Sequence, residues 1–228
     1  EMTKTLRTLR KEIENYIQYL RSFKETHNLS VLFGQGAEYS YIDNLWGEGN
    51  YIASNSIQTI QGVVSKNSNA SSSIEERARL SWFARLSYDY KDKYLFSANW
   101  RMDGSSRFGK NNRYGYFPSG SVAWRLSQED FLKDVKWLSD MKIRASYGIT
   151  GNNNIGDYAS IGIMENANYV LGTGTGNIVN GAAQKSFSNA DLTWEKTRQT
   201  DLGFEISVLD SRLSLSLDLY YRKTTDLL

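Results

Sequence analysis

The chain has 228 residues, and 27 Lys and Arg against 25 Asp and Glu leave a formal net charge of only +2. This balance, without clustered positive charge, excludes the electrostatic footprint of a nucleic-acid-binding protein. The lack of cysteine excludes disulfides and cysteine-based metal sites, and the presence of a single histidine, His27, argues against a histidine-rich metal centre and a Ser-His-Asp triad. We therefore expect no catalytic site, no metal and no cofactor.

Hydropathy narrows the class further. The mean hydropathy is −0.53, although aromatic residues make up 13% of the chain. No apolar run approaches the ~18 residues of a membrane helix, so a helical membrane protein is excluded. A β-barrel stays open, because only one face of each strand touches lipid. The first residues, Glu1 to Lys4, and the last, Thr224 to Leu228, indicate a piece of a longer chain.

The amino-terminal 25 residues carry a mixed signal. Leu6, Leu9, Ile13, Ile17 and Leu20 recur at intervals of three or four, which is a helical period. The pattern favours a helix over residues 4–14 and leaves residues 15–25 open between helix and strand.

Alternation becomes clear after a turn near His27. A strand is predicted from residue 29 to about 41, and residues 44–78 are predicted to be a polar loop that includes the Ser- and Asn-rich tract 67–73. Ser127 and the acids after it predict a short helical turn with a serine N-cap. Further strands are predicted at residues 79–90, 94–101, 122–126, 141–149, 194–208 and 213–221.

Two regularities need one explanation. Each later strand has one apolar and one polar face, as where Leu213, Leu215 and Leu217 alternate with Ser214 and Ser216. Connections near 27, 92 and 210 are short, whereas those at 44–78, 103–116 and 151–193 are long. A soluble sandwich shares the alternation, but the segregation of short and long connections is typical of an outer-membrane barrel, with short periplasmic turns and long extracellular loops.

Tyrosines flank the short turn at 91–93. Tyr88, Tyr90 and Tyr94 suit the aromatic belt at a membrane interface, and they equally suit ordinary cross-strand pairs.

Several motifs in order carry a family resemblance. The chain resembles the barrel of the SusC/RagA family, the TonB-linked (TonB-dependent) outer-membrane transporters of Bacteroidota. The resemblance extends over some 150 residues and rests on these segments: 103–109 (DGSSRFG), 115–119 (GYFPS), 123–125 (AWR), 142–148 (KIRASYG), 150–152 (TGN), 194–197 (WEKT), 201–203 (DLG) and 220–228 (YYRKTTDLL).

The resemblance implies an all-β fold, an antiparallel transmembrane β-barrel section. Residues 1–228 are then part of one TonB-dependent receptor barrel domain and supply about eight strands of a 22-stranded barrel, whose plug domain and remaining strands lie outside this chain. Residues 15–25 shift to strand on the same ground. The implied partners are the protein's own plug domain, outer-membrane lipid, a SusD-like surface lipoprotein, the TonB–ExbB–ExbD energy system, and a glycan or peptide substrate.

Candidate site residues fall into two groups. Ligand-contact candidates in the long loops, each with a plain loop-packing alternative, are Trp46, Tyr51, Asn152, Asn153, Asn154 and Asp157. Lumen-facing candidates that could contact the plug are Arg85, Arg101, Lys142, Arg144, Asp201 and Glu205. We interpret Asp201 and Glu205 as lumen charges and not as a glycosidase pair, because lumen positions are polar by construction. Asp103 and Arg107 are expected to pair locally within a structural loop.

Function at this stage has three alternatives. The leading hypothesis is the wall of a TonB-dependent importer of oligosaccharides or peptides. The others are a passive structural or adhesive outer-membrane barrel and a soluble β-sheet carbohydrate-binding protein. The sequence leaves the substrate and the oligomeric state open.

Overall fold

A computed structural model describes residues 2–49, 56, 68–170 and 178–227, and these ranges are nearly all strand. Within them no helix has the length and apolar character needed to cross a membrane. The eleven strands of the described ranges are β1 (Met2–Phe23), β2 (His27–Gly49), β3 (Ser68–Tyr90), β4 (Tyr94–Ser105), β5 (Tyr114–Tyr116), β6 (Ser119–Arg125), β7 (Leu138–Asn152), β8 (Met164–Val170), β9 (Ile178–Gln184), β10 (Glu195–Val208) and β11 (Leu213–Thr225).

The chain divides into two compact units. One unit comprises residues 1–13 and 37–79, and the other comprises residues 14–36 and 80–228. Along the main sheet the strands follow the order β1-β2-β3-β4-β6-β7-β10-β11, and β5 pairs with β4. Strands β8 and β9 form a separate two-stranded hairpin. Eight strands on the main path of the described sheet agree with the predicted strand number.

Register sorts the side chains onto two faces. Leu219 lies opposite Leu202, which in turn lies opposite Ala145, while Asp201 lies opposite Ser146 and Tyr220. The first set belongs to a face that we call the apolar face, and the second to the polar face. Since the side-chain period of a strand is two, the antiparallel register carries this separation across the sheet.

Short turns join strands at one edge of the larger unit. In each of three turns at least two consecutive residues have positive φ. These residues are Lys24 and Glu25 in the first turn, Lys91 and Asp92 in the second, and Leu209 to Ser211 in the third. Paired left-handed residues match the twist of a hairpin, and they usually require Asn or Gly. Backbone bonds also link neighbouring turns, as from Lys91 N to Thr26 O at 2.7 Å. The short connections therefore share one edge, which confirms the predicted segregation.

The helix expected over residues 4–14 is wrong, because these residues belong to strand β1. Strand over residues 15–23 is confirmed. The apolar residues at helical spacing are exposed, with Leu6 58% and Ile13 61% accessible. A helix here would therefore have no partner against which to bury its apolar face. Backbone pairing with the next strand determines the conformation, and the helical spacing of the side chains does not.

The loops expected at 44–78, 103–116 and 151–193 are shorter than predicted. Strand β2 runs to Gly49 and β3 begins at Ser68, so residues 68–73 of the polar tract are extended. The other two connections contain β5 and the β8–β9 hairpin. Composition predicted loop because Asn and Gly are rare in strands, but a strand with both faces in water needs no apolar alternation.

The helical turn predicted near residue 127 is a 3-10 helix, Leu126–Gln128, and Ser127 is not its N-cap. The Ser127 hydroxyl instead donates to Asp140 Oδ1 at 2.7 Å, across the short-turn edge.

Candidate functional site

A charge ladder crosses the polar face of three strands. Glu205 of β10 accepts from Lys142 Nζ at 2.7 Å and from Arg144 Nε at 3.1 Å, both on β7. The other end of the Arg144 guanidinium pairs with Asp218 on β11. The ladder alternates in sign and has no net charge.

Gly203 makes the ladder possible. It lies opposite both Arg144 and Asp218 in the register. A Cβ at this position would lie 2.5 Å from Arg144 Nε and 2.8 Å from Asp218 Oδ1. The missing side chain therefore lets Arg144 cross over β10 to reach β11. This explains the glycine of the Asp201-Leu202-Gly203 motif, whose role the sequence did not reveal.

The other predicted polar-face residues also have partners on their own face. Asp201 accepts from Ser146 Oγ at 3.2 Å and from Gln199 Nε2 at 2.8 Å. Arg85 Nε donates to Asn99 Oδ1 at 2.7 Å.

Arg101 binds a carboxylate two residues along its own strand. Its Nε lies 2.9 and 2.7 Å from the two oxygens of Asp103, and its Nη2 donates to Ser81 Oγ at 3.1 Å. Arg85, Arg101 and Asp103 line one depression of about 580 Å³.

The expected pairing of Asp103 with Arg107 is wrong. Arg107 Nε instead lies 2.6 Å from Asp157 Oδ1, and these side chains are only 15% and 6% exposed. Arg107 Nη1 also donates to Asn153 O at 3.0 Å, and Asn153 Nδ2 donates to Ser105 Oγ at 3.2 Å. Fifty residues of sequence separate the two charges, so local spacing could not predict the pair.

An aromatic cluster beside this ion pair forms the buried core of the loop end. Phe108, Phe117 and Trp194 are 1%, 7% and 3% exposed. Their ring centroids lie 5.0 Å (Phe108 to Trp194) and 5.3 Å (Phe117 to Trp194) apart. A Cβ on Gly115 or Gly151 would lie 2.4 or 2.1 Å from Phe117 Cζ, so the ring packs on bare backbone.

This cluster, which we call the loop core (Phe108, Phe117 and Trp194), was missed by sequence reasoning. The available signal was the presence of an aromatic residue in each of the motifs at 103–109, 115–119 and 194–197, the first two of which also contain glycine.

The ligand-contact candidates are not all alike. Asn152 and Asn154 are exposed, whereas Asn153 and Asp157 take part in the network with Arg107. Asn152 uses its side chain to bond Glu195 Oε1 at 3.3 Å and the backbone of Asn154 at 3.0 Å.

Trp46 is half-buried on β2 in the smaller unit. Tyr51 lies outside the described residues.

At the opposite edge, one carboxylate gathers three donors. Glu129 accepts from Lys93 Nζ at 3.0 Å, from Tyr94 OH at 2.8 Å and from Trp124 Nε1 at 3.0 Å. The bonds from Tyr94, Lys93 and Trp124, in that order, lower the pKa of Glu129 from 4.5 to about 2. The same carboxylate raises the pKa of the Lys93 ammonium. Glu129 thus ties the β6–β7 connection to the β3–β4 turn.

Aromatic rings form a row above this carboxylate. Centroid distances are 4.7 Å from His27 to Tyr90, 6.3 Å from Tyr90 to Tyr94 and 6.3 Å from Tyr94 to Trp124. Tyr88 OH lies 2.7 Å from His27 Nδ1. The rings pair across strands and together form a belt at the short-turn edge, so the two interpretations of these tyrosines describe one arrangement.

Alternating faces, an aromatic row at the edge with short turns, and long connections at the opposite edge together define a section of an antiparallel transmembrane β-barrel. The chain belongs to the family described as "TonB dependent receptor-like, beta-barrel", whose model matches residues 4–228.

Relatives and solved structures agree with this assignment. The chain is 40% identical over 223 residues to TonB-dependent receptor P3 of Formosa agariphila, covering 94% of this chain and 21% of that protein. It is 36% identical over 218 residues to TonB-dependent receptor SusC of Bacteroides thetaiotaomicron, covering 93% of this chain and 21% of SusC. The solved structure of the RagAB peptide transporter superposes with a TM-score of 0.88 at 29% identity, over 100% of this chain and 25% of that one.

Family membership has two direct consequences. The protein is located in the outer membrane and belongs to a receptor family, not an enzyme family, so the soluble carbohydrate-binding alternative is excluded. In barrels of this kind an apolar strand face contacts lipid and the lumen is polar. The chain spans about a fifth of the length of these curated relatives.

Proposed function

We propose that this chain is part of the wall of a TonB-dependent outer-membrane importer for oligosaccharides or peptides. The observation that carries the proposal is the likeness of the whole chain to the RagAB peptide transporter, together with its identity to SusC. Import would require a plug domain in the same protein, a SusD-like surface lipoprotein and the TonB–ExbB–ExbD energy system.

The polar face would be the wall against which the plug moves. Arg85, Arg101, Lys142, Arg144, Asp201 and Glu205 are its proposed plug-facing residues. Four of these charges already have an opposite charge within the wall: Arg101 pairs with Asp103, and Lys142, Arg144 and Glu205 belong to the ladder with Asp218. A departing plug would therefore leave these four charges paired, where an unpaired buried charge would cost several kcal/mol.

The long connections would meet the incoming substrate. In the larger unit, Asn152 and Asn154 present exposed amides suited to hydroxyl or peptide groups. Trp46 and Tyr51 are separate candidates, whose rings would suit stacking. Asn153 and Asp157 are better assigned a positioning role, because they hold the Arg107 network.

Uptake by a deletion strain tests the proposal. A strain that lacks the full-length protein should lose growth on one class of oligosaccharides or peptides as sole nutrient, and the intact gene should restore it. The restored uptake should vanish when TonB is removed. The passive-barrel alternative predicts that uptake of small solutes survives loss of TonB, and that outcome would overturn the importer proposal.

A residue-level experiment tests the ligand-contact amides. Replacing both Asn152 and Asn154 by Ala should weaken substrate binding while the amount of folded protein in the outer membrane stays unchanged. If substrate affinity does not change, these amides are not ligand contacts.

A further inference from the structure

Three cations lie together on the lipid-contacting apolar face, at its extracellular end. Arg198 of β10 lies directly opposite Lys223 of β11, and Lys196 is two residues farther along the same face of β10. Arg198 and Lys223 are exposed, and Lys196 is half-buried. Opposed residues in an antiparallel pair have Cβ atoms only about 4.5–5.5 Å apart, and diagonal neighbours about 7–8 Å.

Like charges in direct opposition destabilise a sheet unless an anion lies between them. The structure describes β7, β10 and β11 throughout, and no carboxylate is present on their apolar face. Every Asp and Glu of these strands occupies a polar-face position in the register. Arg198 Nη1 donates to the neutral Thr225 Oγ1 at 3.2 Å, which leaves the positive charge uncompensated.

The residues below the cations show where they lie in the membrane. Thr200, the next apolar-face residue along β10, lies opposite Tyr147 on one side and Tyr221 on the other, and Leu202 follows opposite Leu219. The face therefore changes from cation to tyrosine to leucine toward the short-turn end, as expected from headgroup to interface to hydrocarbon.

Strand length places the cations at the same level. Arg198 is ten residues from Val208, the last residue of β10 at the short-turn edge. At ~3.4 Å per residue and a tilt of ~40°, this separation corresponds to about 26 Å along the membrane normal, against an apolar band about 25 Å tall. The three cations thus lie at the outer boundary of the hydrocarbon.

We propose that Lys196, Arg198 and Lys223 form a binding site for the phosphate-bearing headgroup of an outer-leaflet lipid. A phosphate suits the site because the guanidinium of Arg198 offers paired N–H donors and the two ammonium groups add point charges within reach of one anion. The lipid supplies the counter-ion that the apolar face of β7, β10 and β11 lacks, and it fixes the height of this wall section in the membrane.

The chain provides a matched control. Arg222 is adjacent to Lys223 on the same strand, but it lies opposite Gln199 in the polar-face register. Lys223→Gln and Arg222→Gln therefore remove the same charge at the same height on opposite faces. The triple variant Lys196→Gln, Arg198→Gln and Lys223→Gln removes the whole site.

The experiment uses the full-length protein, purified folded in a neutral detergent. Native mass spectrometry measures binding of monophosphoryl lipid A and of the same lipid after removal of its phosphate. Each cation that is removed should weaken binding of the phosphorylated lipid about fivefold, and the triple variant about a hundredfold. Arg222→Gln should leave binding unchanged, and the dephosphorylated lipid should bind the native protein as weakly as the phosphorylated lipid binds the triple variant.

Heat-modifiable gel mobility confirms that each variant is folded. Because the substitutions relieve repulsion, the unfolding temperature without lipid should not fall, whereas the increase on adding phosphorylated lipid should be lost. Equal weakening by Arg222→Gln and Lys223→Gln would overturn the proposal, as would equal binding of the two lipids or unchanged binding by the triple variant.

Discussion

Leu217→Arg tests the assignment of the two faces most directly. Leu217 lies opposite Phe204 on the apolar face and is 54% exposed in this chain. Placing a guanidinium there should put a charge into the hydrocarbon. Ser216→Arg puts the same side chain one residue away on the lumen face, opposite Glu205, where it gains an opposite charge.

The expected cost follows from depth in the membrane. Leu213 begins β11 at the short-turn edge, and Leu217 is four residues farther. At ~3.4 Å per residue and ~40° of tilt, Leu217 is about 10 Å above that edge, near the middle of a band about 25 Å tall. Arginine at mid-depth costs about 2–4 kcal/mol and near an interface about 0–1 kcal/mol. Leu217→Arg should therefore cost the most, Leu213→Arg little, and Ser216→Arg still less.

Assembly in the outer membrane provides the assay. For each full-length variant, the folded fraction is read from heat-modifiable gel mobility, and stability from urea unfolding in phospholipid vesicles. Leu217→Arg should lower both, and the other two should stay close to the native protein. Equal losses from Leu217→Arg and Ser216→Arg would refute the face assignment, and equal losses from Leu217→Arg and Leu213→Arg would refute the depth argument.

Three further predictions concern polar contacts. Arg107→Met should destabilise the loop end by up to about 3–5 kcal/mol, because the buried Asp157 carboxylate loses its guanidinium partner. Limited proteolysis of the outer loops should speed up, and addition of Asp157→Asn should slow it again, whereas no rescue would contradict the pairing. Gly203→Ala should displace Arg144 from Asp218 on β11, since the new Cβ would lie 2.5 Å from Arg144 Nε. The Arg144–Asp218 pair is solvent-accessible and worth at most about 1 kcal/mol, so a double-mutant cycle is needed to detect its loss. Asp218→Asn should lower stability in the native protein and should cause no further loss in the Gly203→Ala variant. Glu129→Gln should lower the unfolding temperature at neutral pH. The pKa of Glu129 in the folded protein, about 2, is below the ordinary 4.5, so the difference in unfolding temperature should be full above pH 4.5 and should vanish as the pH falls from 4.5 toward 2. A difference that does not change with pH would be incompatible with the three-donor site.

Much of the fold could be predicted because the membrane imposes a simple rule on the chain. From Trp82 to Tyr221 one face must be apolar, so the period of two is written into the residues, and the short turns near 92 and 210 follow from the breaks in it. The prediction was wrong at residues 4–14 and 68–73, where the strands carry no such alternation. There, extended structure depends on pairing between strands, and composition alone favours helix or loop.

The candidate site was likewise predictable from the sequence only in part. That Arg144, Glu205 and Asp201 share the polar face follows from their parity along alternating strands, so the sequence by itself determined which residues could meet. Only the tertiary structure decided which ones do. The partnership of Arg107 with Asp157, the packing of Phe117 on Gly151 and the passage of Arg144 over Gly203 each depend on strand register and loop packing between segments about 35 to 60 residues apart. No local sequence pattern predicts such contacts, because they depend on the register between strands that are far apart in the sequence.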